Sequence, residues 1–370
     1  MQAPSRFSIS CLLLLISCFL VTGALAAAKS KKPVASKVQQ PTPGQSYGNR
    51  ADAMRAADEM AERLGLDRPW LREIMGQARM VPRIVQLMTP AARGVAKNWR
   101  VYRSRFIEPL RIQAGVDFWQ THRANLERAQ ERSGVPAEII VGVIGVETIY
   151  GQQMGSFRVI DALSTLAFDF PSSHPRAGER SAYFMRELER YLSFTQRGGV
   201  DPLSLRGSYA GAMGMPQFMP SSWAQHAIDF DGDGKVDLFN SAADAIGSVA
   251  NYLQAYGWNR GMATHYPLAF DLARLDLDGL MLPDILPTFS VASFQAKGVL
   301  LEGAALQHSG PLALIELQNG DAAPSYVAGT ENFYVITRYN WSSYYAMAVI
   351  ELAEAVAREV KKAENKQGKS

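Results

Sequence analysis

The chain has 370 residues, of which 47% are hydrophobic and 20% charged, and this ordinary composition excludes collagen-like, largely disordered and multi-span membrane proteins. The length exceeds a single compact core and predicts two or three subdomains. The formal net charge is +3, but the first 50 residues hold six Lys or Arg and no acid, so the remainder is slightly acidic and nucleic-acid binding is not expected.

Residues 1–26 have the order of an export signal peptide. Arg6 precedes an apolar run at 11–21, and the Ala-Leu-Ala sequence that ends at Ala26 supplies the small residues of a cleavage site. The alternative is a lipoprotein-type cleavage that leaves Cys18 acylated as an outer-membrane anchor. Both routes predict a periplasmic protein, and because both cysteines lie in this segment, the mature fold has no disulfide.

The rest of the chain predicts a mainly α fold of the α+β class. Residues 27–50 are rich in Lys, Pro, Gln and Ser and predict a flexible linker. Apolar residues then recur every three or four positions, which predicts a helical domain over 51–132. Short apolar runs among Gly, Pro and Asp predict a small β-rich domain at 263–331. A helical segment at 332–362 returns to the core before the polar tail 363–370.

One carboxylate, Glu147, lies on the most apolar helix of the chain. Counting back from it by three, four and seven residues meets only Ile and Val. Burial raises the pKa of a carboxyl group, and a neutral acid is what general acid catalysis at a glycosidic oxygen requires. The alternative is a structural carboxylate neutralised by an arginine such as Arg158 or Arg206. Gly142 and Gly145 leave one flank of this helix open to the close approach of another segment.

The stretch 208–223 combines small residues, aromatic residues, methionines and one uncharged amide, Gln217. Glycine and alanine allow a ligand to approach the backbone, aromatic faces stack on sugar rings, and an amide both donates and accepts hydrogen bonds. The pattern predicts a ligand-facing loop. A tightly packed core turn is the alternative, because small residues and methionine also fill cores.

Residues 229–240 have the spacing of an EF-hand calcium loop. Position 12 is Asn240 instead of the usual Glu, so a carboxylate from the next helix is expected to complete the shell. The predicted ligands are five side chains and one backbone carbonyl: Asp229, Asp231, Asp233, Asp237 and Asp244, and the carbonyl of Lys235. So many neighbouring carboxylates repel one another without a cation, which favours structural Ca²⁺ over a solvated turn. No nucleotide-binding or other cofactor motif is present, so no organic cofactor is expected.

Four motifs occur in an order that resembles the lytic murein transglycosylase B family. They are Val-Gly-Val-Ile-Gly-Val-Glu-Thr-x-Tyr-Gly around Glu147, Gly-Ala-Met-Gly-x-Pro-Gln-Phe-Met-Pro-Ser-Ser around Gln217, the acidic loop running into Asp-Ala-Ile-Gly-Ser-Val-Ala-Asn-Tyr, and a C-terminal Asn-Phe-Tyr…Arg-Tyr-Asn…Tyr-Ala-Met-Ala. The resemblance covers about 51–360. It implies a lysozyme-like catalytic core over 133–262, with the EF-hand-like calcium loop at 229–244, flanked by the α domain and the small β-rich domain.

The resemblance also implies an activity and a set of site residues. The family cleaves the β-1,4 bond between N-acetylmuramic acid and N-acetylglucosamine in peptidoglycan without water, which leaves 1,6-anhydro-muramyl ends. Glu147 falls on its single catalytic glutamate, which acts first as acid and then as base. Arg180 falls on an arginine that faces the peptide stem or the muramyl carboxylate. Six residues fall on glycan contacts: Ser208, Tyr209, Gln217, Tyr252, Tyr339 and Tyr345.

Two other functions are compatible with the same residues. A hydrolytic muramidase of goose-lysozyme type would use the same acid but add water to the product. A calcium-dependent peptidoglycan-binding protein would keep the fold without the chemistry, since a fold does not by itself fix a function. In each case the partners are peptidoglycan glycan strands, and a monomer is expected.

Overall fold

The computed structural model describes residues 44–90 and 97–367. The predicted signal peptide 1–26 with Cys18, most of the linker and the end of the polar tail lie outside the described residues. The described residues form two compact units. The large unit holds residues 97–153 and 226–367, and the small unit holds residues 44–90 and 154–225. Within these ranges no helix combines the length and the apolar character needed to cross a bilayer.

Helices dominate the described residues. They are α1 Ala51–Leu64, α2 Arg68–Gln77, α3 Pro82–Met88, α4 Trp99–Arg103, α5 Pro109–Thr121, α6 Arg123–Ser133, α7 Ala137–Thr148, α8 Val159–Phe168, α9 Ala177–Arg197, α10 Pro220–His226, α11 Ala242–Ala255, α12 Leu277–Met281, α13 Val291–Ala296, α14 Glu331–Thr337 and α15 Ser343–Gln367. Short 3₁₀ helices occupy Tyr47–Asn49 and Gly303–Gln307.

The strands are short and all pair antiparallel. They are β1 Phe157–Arg158, β2 Arg206–Gly207, β3 His265–Tyr266, β4 Ala269–Phe270, β5 Val299–Leu300, β6 Ala313–Asn319 and β7 Ala322–Gly329. β1 pairs with β2 in the small unit, while the large unit has a three-stranded sheet in the order β3-β7-β6 and the pair β4-β5. The mainly α fold with a minor β part is therefore confirmed.

The centre of the large unit is α7. Every residue from 139 to 146 is buried, which is expected of a helix that is apolar on all sides. The helix begins directly after Pro136, whose restricted φ suits entry into a helix. It ends where Ile149 and Tyr150 both adopt the left-handed conformation, with φ of 51° and 57°. Glu147 is therefore fixed at the C-terminal turn of the most deeply buried helix.

The long helix α15 packs along the flank of α7 that carries the two glycines. A Cβ added at Gly142 would lie 2.5 Å from the carbonyl oxygen of Val349. One added at Gly145 would lie 2.8 Å from Cδ2 of Leu352. Real Cβ atoms do not approach other heavy atoms so closely, so the two glycines set the distance between these helices. The prediction that another segment approaches this flank is confirmed.

The β-rich part of the large unit has its own apolar core. The β6–β7 hairpin and the short helices α12 and α13 enclose buried side chains that include Leu280, Phe294, Val299, Leu312 and Leu314. These elements lie between residues 265 and 329. The sequence here alternates short apolar runs with Gly, Pro and Asp because each run contributes only a few side chains to this core.

Two predicted boundaries differ from the structure. Tyr47, which falls in the predicted linker, is fully buried, and its hydroxyl donates to Asp169 at 2.5 Å, while Arg50 forms an ion pair with the same carboxylate at 2.6 Å. The small unit therefore includes residues 44–50. The compact units also do not divide at residue 132, because α5 and α6 pack on α7 and belong with it. Their apolar faces need that buried helix as a partner.

The close approach of α7 and α15 can be tested at Gly142. We expect Gly142→Ala to lower the free energy of unfolding by about 1–3 kcal/mol, because its methyl group would meet the Val349 carbonyl and the helices would have to separate. Urea unfolding of the purified chain measures this. The matched control is Gly178→Ala on α9, where an added Cβ meets nothing within 4 Å. Equal stability of the two variants would contradict the packing argument.

Candidate active site

Glu147 carries a carboxyl group that the protein keeps largely protonated at neutral pH. Its side chain is half-buried, and burial raises its pKa from the ordinary value of 4.5 to about 8. The hydroxyl of Tyr345 donates to Oε1 at 2.6 Å, which favours the charged form and acts in the opposite direction. Burial is the larger of the two effects, so Glu147 is an acid with a proton to give.

The alternative of an arginine-neutralised carboxylate does not describe Glu147. Among the residues that the structure describes, no basic side chain forms an ion pair with it, and no cation contributes to its pKa. Arg158 instead pairs with Asp161 at 2.7 Å within the small unit, and Arg206 is exposed. The half-buried carboxyl group of Glu147 is thus neutral because burial disfavours its charged form, and no cation compensates that charge among the described residues.

Three tyrosines of the predicted glycan-binding set come together beside Glu147 in the large unit. The rings of Tyr345 and Tyr339 are stacked with centroids 6.1 Å apart, and Tyr252 lies 4.8 Å from Tyr339. Burial, together with the nearby Glu147, raises the pKa of Tyr339 and Tyr345 well above its ordinary value. Both tyrosines therefore remain protonated across the physiological range and can act as hydrogen-bond donors.

Tyr345 lies against Glu147, and its role as a glycan contact stays a prediction. Its side chain is fully buried and its hydroxyl is directed to Glu147. Tyr252 is 5% exposed, and its hydroxyl donates to the carbonyl of Arg338 at 2.7 Å. Tyr339 alone of the three is half-buried. The structure therefore gives Tyr345 the role of a positioning residue for the acid.

Sequence reasoning missed two residues that shape the C-terminal end of α7. Arg111 is 8% exposed and donates to the carbonyl of Gly145 at 2.6 Å, so it satisfies a helix-end acceptor. Tyr150 packs into the space left by Gly115 and Gly145. The pairing of small residues with a following tyrosine could have indicated Tyr150. Nothing in the pattern distinguishes Arg111 from exposed arginines, because its partner lies 34 positions away.

The other predicted contacts, Ser208, Tyr209, Gln217 and Arg180, belong to the small unit. A tight loop follows β2, in which isolated bridges join Gly207 to Met213 and Met213 to Phe218. The Ser208 hydroxyl accepts from the backbone N–H groups of Ala210 and Ala212 at 3.2 and 3.0 Å.

Both interpretations of this loop describe part of it. Met213 and Phe218 are buried as in a core turn, whereas Ser208, Tyr209 and Gln217 keep part of their surface exposed. Gln217 has a φ of 49°, and its amide nitrogen donates to the carbonyls of Met154 and Gly214 at 3.1 and 3.0 Å. A non-glycine residue in this conformation is held there at a cost of about 1–3 kcal/mol, and such residues concentrate at functional sites.

Arg180 is a buried cation on α9. It is 7% exposed, and burial lowers the pKa of its guanidinium. The guanidinium lies 5.6 Å from the ring centroid of Phe184, which is within cation–π distance. A charged group this deeply enclosed is costly to keep, which is consistent with a site for an anionic group of a ligand.

The acidic loop brings three of its five predicted carboxylates together. Oxygens of Asp229, Asp231 and Asp244 lie within 4.8 Å of one another. Asp244 is 1% exposed, and its two oxygens accept from the backbone N–H groups of Phe230 and Asp237 at 2.7 and 2.8 Å. A buried carboxylate beside two others is the donor chemistry that a hard divalent cation prefers, so these residues fit Ca²⁺.

The remaining predicted ligands stay predictions, and in this structure their carboxylates accept from backbone N–H groups. Asp237 accepts from the backbone of Phe239 and Asn240, each at 2.9 Å, so it caps the turn that follows the loop. Asp233 is exposed and accepts from the backbone N–H of Lys235. Ser241, which the sequence did not single out, donates to Asp231 at 2.7 Å. Ser241 lies ten positions after Asp231, and the spacing of an EF-hand loop does not predict a contact between these two positions.

Known proteins resemble this chain over most of its length. A family model for the transglycosylase SLT domain matches residues 49–354. Membrane-bound lytic murein transglycosylase B of Escherichia coli (strain K12) is 41% identical over 323 residues, which cover 85% of this chain and 85% of that protein.

Two groups of solved structures carry the same resemblance. The E. coli lytic transglycosylase Slt35 in complex with calcium is 39% identical, with 86% of this chain and 97% of that chain covered and a TM-score of 0.75. SltB3 from Pseudomonas aeruginosa in complex with NAG-anhNAM-pentapeptide is 30% identical, with 85% and 80% covered and a TM-score of 0.69.

The hydrogen bond between Tyr345 and Glu147 makes a prediction about acidity. We expect Tyr345→Phe to raise the pKa of Glu147 further, because the ionised carboxylate would lose the donor that stabilises it. A ¹³C NMR titration of glutamate-labelled protein measures this shift. The matched control is Tyr344→Phe, whose hydroxyl bonds the backbone of Gln318 and should leave the titration unchanged. An unaltered or lowered pKa in Tyr345→Phe would contradict the assigned role.

Proposed function

The chain belongs to the transglycosylase SLT family, and from this membership we propose how it acts as a peptidoglycan lytic transglycosylase, with Glu147 as its single acid and base. The enzyme is a carbon–oxygen lyase that cleaves the β-1,4 bond between N-acetylmuramic acid and N-acetylglucosamine and leaves 1,6-anhydro-muramyl ends. The observation that carries the role of Glu147 is its half-buried carboxyl group with a pKa of about 8.

The first step uses the proton on Glu147. The carboxyl group gives that proton to the glycosidic oxygen, the bond between C1 and this oxygen breaks, and the N-acetylglucosamine end departs as an alcohol. The N-acetyl carbonyl of the muramyl residue shields the positive charge that develops at C1. The hydroxyl of Tyr345 donates to the carboxylate that remains and stabilises it until the second step.

The second step returns the proton to Glu147. The carboxylate removes the proton from the C6 hydroxyl of the same muramyl residue, and the C6 oxygen bonds to C1 and closes the 1,6-anhydro ring. No water is consumed, and the glutamate is again neutral. An intramolecular nucleophile competes with water because its effective molarity reaches about 10⁵–10⁸ M when it is well oriented.

Each unit, taken by itself, offers groups that suit a glycan. Tyr339 and Tyr252 in the large unit offer aromatic faces beside Glu147, on which sugar rings stack. In the small unit, Ser208, Tyr209 and Gln217 present hydroxyl and amide groups from the loop after β2, and Arg180 presents a buried positive charge for the muramyl carboxylate or the peptide stem. Glycan strands of peptidoglycan are the partner that these groups fit.

We further propose that the acidic loop holds a structural Ca²⁺ through Asp229, Asp231 and Asp244. The complex of the related Slt35 with calcium supports this. The carboxylates of Asp233 and Asp237 and the backbone carbonyl of Lys235 are the further ligands that the loop spacing implies, and Asp237 also caps the adjoining turn. When bound, the ion neutralises clustered negative charge and ties the loop to the start of α11.

The location that follows from the substrate is the periplasm, where peptidoglycan lies. The predicted export signal supports this, with release after Ala26 or acylation of Cys18 as the two routes of processing. The related E. coli protein is named as membrane-bound. We propose a monomer that acts on glycan strands in the periplasm, either soluble or anchored through Cys18.

Glu147→Gln tests the chemical role. We expect cleavage of purified glycan strands to fall by about 10²–10⁴ or more, because the amide has no acidic proton to transfer, while the fold is retained. Glu138→Gln on the first turn of the same helix is the matched control and should retain activity.

The mass of the wild-type product distinguishes the two enzymatic alternatives. A lytic transglycosylase releases a muramyl end that is lighter by one water than the hydrolytic product. A reducing muramyl end would identify a hydrolytic muramidase instead, and binding without cleavage would identify a peptidoglycan-binding protein.

Calcium should raise the thermal stability of the chain. Because the ion binds the folded loop and not the unfolded chain, we expect the melting temperature to rise with Ca²⁺ concentration, with an added stability of about 2.7 kcal/mol at 100 times the Kd. The Asp229→Asn/Asp231→Asn variant should lose this response. The Asp278→Asn/Asp321→Asn variant removes two exposed carboxylates of the same unit and should keep it. An unchanged melting temperature in the wild-type chain would contradict a calcium site.

A further inference from the structure

The small unit carries a groove that the proposed chemistry does not use. It has a volume of about 330 Å³ and lies beside the end of α1, the second half of α9 and α10. Its lining includes three exposed arginines and three apolar residues, which we call the apolar floor: Arg186, Arg190 and Arg197, and Leu64, Phe194 and Ala224. Positively charged side chains beside exposed apolar residues are typical of a ligand-binding surface.

The positive charge of this groove is compensated only in part. Glu189, the carboxylate in the lining, is already bound by Arg63 through two contacts at 2.7 and 3.0 Å. Arg190 lies 3.6 Å from the buried Glu187. Within residues 44–90 and 97–367, Arg186 and Arg197 form no ion pair with a carboxylate. Arg197 reaches only the carbonyl of Leu64, at 3.4 Å.

The chemistry of the groove indicates its ligand. A guanidinium presents a planar fork of donors that matches a carboxylate, and two or three such groups hold one firmly. Phe194 and Leu64 beside them offer contact to a small aliphatic side chain. A recessed groove of this volume admits the end of an extended chain, whereas a flat layer of lipid headgroups would contact only its rim.

We propose that this groove binds the C-terminal carboxylate of a short peptide, with the methyl side chain of its last residue on the apolar floor. The inference rests on the proposed function, since peptidoglycan carries such peptides on its muramyl residues. The groove then retains peptide-bearing murein on the enzyme and is not needed for the bond cleavage itself. It acts as an anchoring site that selects strands by the peptides they carry.

Binding of a sugar-free peptide tests the proposal directly. The probe is a synthetic tripeptide that ends in D-alanyl-D-alanine, measured by isothermal titration calorimetry on the full chain. We expect the Arg186→Gln/Arg197→Gln variant to bind it at least about tenfold more weakly, and the wild-type chain to lose a similar factor when the terminal carboxylate is replaced by a carboxamide. The Arg55→Gln/Arg83→Gln variant removes two exposed arginines elsewhere on the same unit and should bind as the wild type does.

Two substrates separate this inference from the proposed function. The Arg186→Gln/Arg197→Gln variant should cleave peptide-free glycan strands at the wild-type rate and intact murein more slowly, mainly through a raised KM. Absence of peptide binding in the wild-type chain, or equal binding in the variant, would overturn the groove assignment whatever the cleavage results. Loss of binding to phosphatidylglycerol vesicles in the variant, without any peptide binding, would overturn it in favour of a lipid contact. Failure of the proposed function would instead appear as cleavage by Glu147→Gln.

Discussion

The acidity of Glu147 depends on the enclosure of its carboxyl group by the large unit. An ionised carboxylate is poorly stabilised where protein atoms replace water, so Glu147 takes a proton at a pH where exposed glutamates have lost theirs. This requires the end of α7 to be enclosed, and the enclosure requires α15 to pack at a distance that only Gly142 and Gly145 permit. The acidity of one side chain is therefore a consequence of helix packing.

The sequence predicted the elements whose signals are local. The apolar run of α7, its two glycines and the alternation of short strands each depend on a few adjacent residues, and the structure has all of them. The acid itself could be indicated in the same way, because helical spacing places Glu147 among Ile and Val. The neutral state needed more than spacing, since a nearby arginine would have reversed it.

Predictions failed where a contact joins distant parts of the chain. The linker boundary was placed too late because the partner of Tyr47 lies 122 positions away. The hydrogen bond from Tyr345 to Glu147 could not be predicted, because a motif gives a residue and not the direction of its hydroxyl. In the acidic loop, the local spacing predicted the carboxylates. The position of α11 brings Asp244 close to Asp229 and Asp231, while Asp237 accepts from the backbone of the turn that follows the loop.

The hydrogen bond between Tyr345 and Glu147 spans 198 positions of the chain. Its donor sits in the first turn of the final helix, so the acid acquires its last neighbour only when the C-terminal segment has been synthesised and folded. A chain that lacked α15 would carry the glutamate without this donor and without the helix that packs along α7. The acid and its hydrogen-bond donor therefore belong to two helices far apart in the sequence, and neither α7 nor α15 alone holds both.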